Sequence, residues 1–281
     1  MKQPILAVIF LFGFLAGLTQ NVPQVPSRMA FGDMKLVINE SARREIQKDV
    51  NMLRASEKYF RIKLDRARLY FPIIEETFRK EGVPQDFKYL SLQESGLISD
   101  VVSESNAVGF WQFKDFTGRE VGLRIDHRID ERKNIVSASR GAAKYLKRNN
   151  FLYDNWIYAL TAYYAGPGGA ARYVNKSQFG DRRMEINKKT HWYVKRFLAH
   201  KIAFESELKG THSEGLSLVT YTKGEGKDLK KIARELDIEP DLLKHYNKWI
   251  RHGKIPDDKE YSVIVPVKGK IPQRILAKAE N

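Results

Sequence analysis

The sequence predicts a mainly α protein that ends in a small α+β unit. Three observations carry this reading. Apolar residues recur at helical spacing through much of the chain from Ser41 to Glu205, and glycines and prolines cut that pattern into segments. After Gly215 the pattern changes to two short β-like runs that flank two amphipathic segments.

The chain opens with a segment that belongs to no domain. After Met1 and Lys2 an uncharged apolar run extends from Ile5 to Leu18. At about 14 residues it falls short of the roughly 20 that span a bilayer, and it suits the apolar region of a secretory signal. Residues 1–20 are therefore read as a signal peptide, with an uncleaved membrane anchor as the alternative, and the rest of the chain as exported.

Residues 21–80 are expected to form an N-terminal helical extension, because charged and apolar residues alternate at helical steps from Ser41 to Lys80. Pro72, ahead of Ile73, Ile74 and Phe78, marks a helix start, and Gly82 marks the stop. Val83 and Pro84 open the next helix, which keeps Phe87 and Leu90 on one side and ends at Gly96. Alanine-rich Ile135 to Asn149 and then Asn155 to Ala165 read as two further helices, the second capped by Asp154. Gly166-Pro167-Gly168-Gly169 reads as a turn. A last helix from Thr190 to Glu205 carries Tyr193, Phe197, Leu198 and Ile202. These segments place one helical domain over 81–207 and a polar linker over 208–215.

The second unit covers 216–268, with a tail over 269–281. Leu216 to Thr222 is its first strand and Tyr261 to Pro266 its returning strand. Between them lie one helix with Leu229, Ile232, Ala233 and Leu236, and another with Leu242, Leu243 and Tyr246.

Composition narrows the chemistry. Lys and Arg number 49 against 34 Asp and Glu, a net charge of +15, so the surface attracts polyanions. Export argues against nucleic acid as the partner, and neither a glycine-rich phosphate loop nor an aromatic and basic platform for bases is present. With no cysteine, disulfides, thiolate zinc sites and a lipid-modified cysteine are excluded. The six histidines lack ligand spacing, so no metal and no cofactor is expected.

Glu94 is the leading catalytic candidate. It precedes Ser95 and the helix-stopping Gly96, facing the negative end of a helix dipole beside Leu90 and Leu97. Both the dipole and partial burial raise a carboxyl pKa, which suits a general acid. Position alone does not overturn the plainer reading, a solvated helix-end residue.

The surrounding motifs decide between these. Glu94-Ser-Gly96 is followed by Ser103-Glu-Ser-Asn-Ala-Val-Gly-Phe-Trp-Gln112, then Ala162-Tyr-Tyr-Ala-Gly-Pro-Gly168, then Thr190-His-Trp-Tyr-Val194. In this order and spacing the sequence resembles the lysozyme-like lytic transglycosylases, in the flavour of the membrane-bound lytic murein transglycosylase D group. The resemblance implies a lysozyme-like catalytic domain acting on peptidoglycan, with Glu94 as its single acid and base and 1,6-anhydro-muramoyl ends as its product. It implies that Tyr163 lies near the carboxyl and is able to hydrogen-bond it, that Gln112 holds sugar substituents, and that Ser103 contacts the N-acetyl group. Trp111 is equally a subsite wall or a core residue, Tyr163 has a core alternative, and Tyr193 joins the substrate-binding set. The family has Asn where this chain has Tyr164, a departure that favours a weakly cutting glycan binder; a hydrolytic muramidase is the third reading. The C-terminal unit resembles a degenerate LysM domain, which implies affinity for glycan. Peptidoglycan strands are thus the expected partner of a periplasmic or envelope-associated monomer, with peripheral membrane association.

Overall fold

A computed structural model describes residues 22–209 and 215–269. The proposed signal peptide, most of the linker and nearly all of the tail lie outside those residues. Among the described residues no helix is long and apolar enough to cross a membrane.

The described residues open with a hairpin where a helical extension is expected. Strands β1 (Arg28–Phe31) and β2 (Met34–Ile38) pair antiparallel around a Gly32-Asp33 turn. Met34, Leu36 and Ile38 are buried, alternating with exposed Lys35 and half-buried Val37. Asn39 then caps α1 (Glu40–Arg54), its side chain accepting from the Ala42 N–H.

Helix α2 (Glu57–Glu81) runs straight past the expected start at Pro72. Phe60, Leu64, Ala67, Phe71, Ile74 and Phe78 form one buried stripe through it, whereas Pro72 is exposed. An interior proline costs a helix about 3 kcal/mol, and burying aromatic and aliphatic side chains on both sides of it, each about 1.5–3 kcal/mol, outweighs that loss. Gly82 in the left-handed region ends α2, as expected.

A 3₁₀ turn at Gln85–Phe87 leads into α3 (Lys88–Ser95), stopped by left-handed Gly96. Short α4 (Asp115–Glu120) follows a long loop. Helix α5 (Ile135–Tyr153) outlasts its expected end at Asn149 by one turn. Asp154 terminates α5 in the left-handed conformation and does not cap the next helix. That cap is Asn155, whose carboxamide oxygen accepts from Ile157 N and Tyr158 N of α6 (Trp156–Ala170). Within α6, Gly166 breaks the helix at φ 67°, ψ 163°, and helical geometry resumes from Pro167, where a plain turn is expected.

Strand β3 (Arg183–Ile186) pairs parallel with β2, Leu36 opposite Met184, and completes a three-stranded sheet. Helix α7 (Trp192–Leu208) returns through the core, packing on α1, α3 and α6. Strand β4 (Leu216–Tyr221), helices α8 (Leu229–Leu236) and α9 (Pro240–Tyr246), and strand β5 (Val263–Lys268) then follow in the expected order. The two strands pair antiparallel.

Two apolar clusters result, and they interlock. Ile264 of β5 belongs to the helical core, whereas Ile129, from the segment before α5, belongs to the core of the C-terminal unit.

Candidate active site

Glu94 lies on the last turn of α3, half-buried in a cleft of about 730 Å³. The helix is fastened to the opposite loop by two serines. Ser91 Oγ and Ser95 Oγ both donate to the Phe110 carbonyl, at 2.9 Å each. The loop is shaped by its glycine. Gly109 has φ +83°, and a Cβ there would stand 2.1 Å from the Arg132 carbonyl oxygen, so only glycine fits.

The loop sends neighbouring side chains in opposite directions. Trp111 is 0% exposed, with its indole N–H donating to Ser139 Oγ at 3.0 Å and its ring tilted against Phe78. It is a core residue and, contrary to expectation, not part of the substrate-binding set, since it does not line the cleft. Gln112 instead lines the cleft. Its amide nitrogen donates to the Gly109 and Val101 carbonyls, which leaves the amide oxygen to accept from a ligand. Ser103 also lines the cleft, its hydroxyl accepting from Ala107 N and bonding with Ser105 Oγ at 3.2 Å.

The tyrosines exchange roles. Tyr163 lines the cleft, yet its hydroxyl donates to the Trp111 carbonyl at 2.7 Å and not to the carboxyl. Tyr193 makes that bond: its hydroxyl donates to Glu94 Oε1 at 2.5 Å. The reason lies in the paths of the helices. Tyr163 is drawn toward Phe113 and Tyr145 of the loop and α5, whereas Tyr193 begins α7, which packs directly on α3.

Burial raises the Glu94 pKa above the ordinary carboxyl range, while the Tyr193 hydroxyl and the charge of Arg196 pull it back. Burial, and then the nearby Glu94 charge, hold both Tyr163 and Tyr193 as protonated phenols. Burial thus favours the protonated carboxyl, while one donor, the Tyr193 hydroxyl, stabilises its anion.

Glu94 is the single carboxylate among the residues lining this cleft. Asp100 pairs with Lys248 at 3.0 Å, and Asp115 pairs with Arg119 at 2.6 Å. Glu104 is exposed and, like those two, does not line the cleft. Among the described residues, no group of three or more His, Asp or Glu is placed to hold a metal ion.

Sequence reasoning missed Tyr145 of α5, together with Lys114 and Thr117, all of which line the cleft. Tyr145 sits in an alanine-rich stretch with no motif around it. Arg196, one helical turn beyond Tyr193, was likewise missed, since it falls outside the motif.

A mainly α body thus holds one half-buried carboxyl in an open cleft. Residues 71–186 match the family model for the transglycosylase SLT domain. The chain is similar to membrane-bound lytic murein transglycosylase D of Escherichia coli strain K12, at 24% identity over 84% of this chain and 56% of that protein. The same protein from E. coli O6:H1 strain CFT073 matches equally. The chain thus spans a little over half the length of the curated relatives it matches. An inactive mutant of lytic transglycosylase Slt from Pseudomonas aeruginosa is similar at 19% identity and a TM-score of 0.38, over 49% of this chain and 24% of that one.

Proposed function

We propose that this chain is a lytic transglycosylase, which cleaves the β-1,4 bond between N-acetylmuramic acid and N-acetylglucosamine in peptidoglycan and leaves 1,6-anhydro-muramoyl ends. One observation carries the reading: the cleft is lined by a single carboxylate. Hydrolases of the usual retaining or inverting kind need two carboxyl groups, one as acid and one as nucleophile or base. A reaction whose nucleophile is the substrate's own hydroxyl needs only one group, used twice.

In this scheme Glu94 first gives its proton to the glycosidic oxygen, which breaks the bond to C1. The resulting carboxylate, steadied by the Tyr193 hydroxyl and the charge of Arg196, then takes the proton from the muramoyl C6 hydroxyl as that oxygen closes on C1. The proton balance closes and no water is consumed. Burial supports the first half-reaction by favouring the protonated acid, and the Tyr193 bond supports the second by favouring its anion. Gln112 and Ser103 orient the sugar substituents from the polar wall of the cleft, and Tyr163 holds the loop through Trp111. The names of the E. coli relatives support murein as the substrate. The chain works in the cell envelope after export, as a monomer without cofactor, with its net positive charge of +15 drawn to an anionic wall or membrane surface.

The test is digestion of purified sacculi by the wild type and by Glu94→Gln, followed by mass analysis of the released muropeptides. Anhydro-muramoyl ends made by the wild type and absent with the variant are expected. Reducing ends, each heavier by one water, would establish the hydrolytic muramidase instead, and no release by either protein would leave a glycan binder.

A further inference from the structure

Beside the carboxyl the cleft is lined by aromatic rings that the reaction scheme does not use. Tyr164 lines the cleft and is 54% exposed. Trp192 is 47% exposed and meets Tyr164 edge to face, with ring centroids 4.9 Å apart at 76°. On its other side Tyr164 stacks on Tyr193 at 4.8 Å and 29°. His191 stands 5.5 Å from Tyr164, and burial, followed by the charge of Lys195, lowers its pKa so that the ring stays neutral. The surface is therefore aromatic and carries no charge of its own.

Trp192 is the exposed one among the chain's tryptophans. Of the four tryptophans, Trp111 and Trp249 are fully buried and Trp156 is partly buried against the core. Contiguous exposed aromatics of this size mark a ligand groove. The cleft lining also combines two kinds of surface, polar Ser103, Ser105 and Gln112 together with aromatic rings that include Tyr164. A pyranose matches both, because it carries hydroxyl and amide groups around its rim and a face of C–H bonds. Those C–H bonds, weakly positive, lie favourably against the negative face of an aromatic ring.

We propose that Tyr164 and Trp192 form a stacking subsite for one N-acetylhexosamine ring of the glycan, next to the sugar whose glycosidic oxygen meets Glu94. The proposal rests on the transglycosylase reading above. It gives Tyr164 a positive role: the ring that replaces the family's asparagine extends the grip on the strand along the cleft. Tyr193 links the two parts, since one face of its ring meets Tyr164 and its hydroxyl reaches Glu94.

The test uses the full chain with two readouts. In a Glu94→Gln background, chitohexaose is titrated while tryptophan emission is followed, and a saturable blue shift is expected as a sugar covers Trp192, absent in Trp192→Phe. In the active protein, initial rates on solubilised glycan strands are measured for Tyr164→Ala, Tyr164→Phe and Trp192→Ala. The two alanine variants are expected to raise KM about tenfold, as the loss of one aromatic contact predicts, with the smaller change in kcat. Tyr164→Phe keeps the ring and is expected to behave as wild type, which separates stacking from misfolding. An unchanged KM in both alanine variants overturns the subsite while the transglycosylase reading stands. A wild type that releases no product from glycan overturns the reading and the subsite together.

Discussion

Replacing Tyr193 by Phe isolates the one hydrogen bond that reaches the proposed catalytic carboxyl. The hydroxyl lies 2.5 Å from Glu94 Oε1, and the ring is 2% exposed. A hydrogen bond to a charged group is worth about 1.5–3 kcal/mol. At 1.36 kcal/mol per factor of ten, its removal predicts a loss of about 10- to 150-fold in kcat/KM, borne by states in which Glu94 is a carboxylate. The pH profile supplies the second readout. Because the hydroxyl lowers the Glu94 pKa, the variant holds its proton to higher pH, and the alkaline limb of kcat/KM moves upward. Phe preserves the stack on Tyr164, so a merely structural role would leave that limb in place. The assay is release of soluble muropeptides from sacculi across a pH series. A rate within about threefold of wild type together with an unmoved limb would refute the assignment of Tyr193 as the group that steadies the anion.

Two further outcomes follow from the same geometry. Glu94→Gln is expected to be more stable than wild type at neutral pH, because the buried carboxyl has a raised pKa in the folded state. The stability tied to its proton is fully present below the unfolded value of about 4.3 and is lost as pH rises through the folded value. The variant's advantage in thermal midpoint should therefore grow from pH 4 to pH 7.5, and a variant less stable at both would show that the carboxylate is well accommodated. Gly109→Ala is expected to destabilise the fold by about 2–5 kcal/mol, since overpacking by one methyl costs about 1–3 and a positive φ about 1–2 more. Its added carbon would meet the Arg132 carbonyl at 2.1 Å, and a denaturant midpoint unchanged from wild type would refute that account.

Local rules were legible wherever one residue decided the outcome. Gly82 and Gly96 end their helices because left-handed positions suit glycine, and Glu94 sits just before the second stop. The rest depended on partners distant in sequence. Strand β2 is five residues long, and its parallel partner β3 lies near residue 184, so neither carries a local signal strong enough to displace a helical reading. Asp154 and Asn155 are both good caps. The choice falls to tertiary contacts, since Asp154 pairs with Arg182 at 2.8 Å while Asn155 is buried and holds the first turn of α6. Trp111 and Gln112 are adjacent, and only the folded loop, with Gln112 at φ 49°, decides that the first is buried and the second lines the cleft. The motif tyrosines marked the right neighbourhood, but only the packing of α7 on α3 decides that Tyr193 and not Tyr163 reaches the carboxyl.

The C-terminal unit bears on the site through its docking. A tethered module raises local substrate concentration when a linker lets the two parts move independently. Here the unit is joined to the segment before α5 by a set of direct bonds. Asp130 N donates to the Trp249 carbonyl and Arg251 N to the Arg128 carbonyl, both at 2.9 Å, while Asn134, the cap of α5, donates to the Ser262 carbonyl. Arg124 pairs with Asp258 at 2.6 Å and Lys259 with Glu131 at 3.0 Å. That same segment carries the Arg132 carbonyl on which Gly109 closes, and the Arg132 guanidinium donates to the Phe113 carbonyl, just past Gln112. The segment that receives the C-terminal unit is thus the one that backs the loop bearing Gln112. The unit braces the wall of the cleft from behind, whatever affinity for glycan it has on its own account.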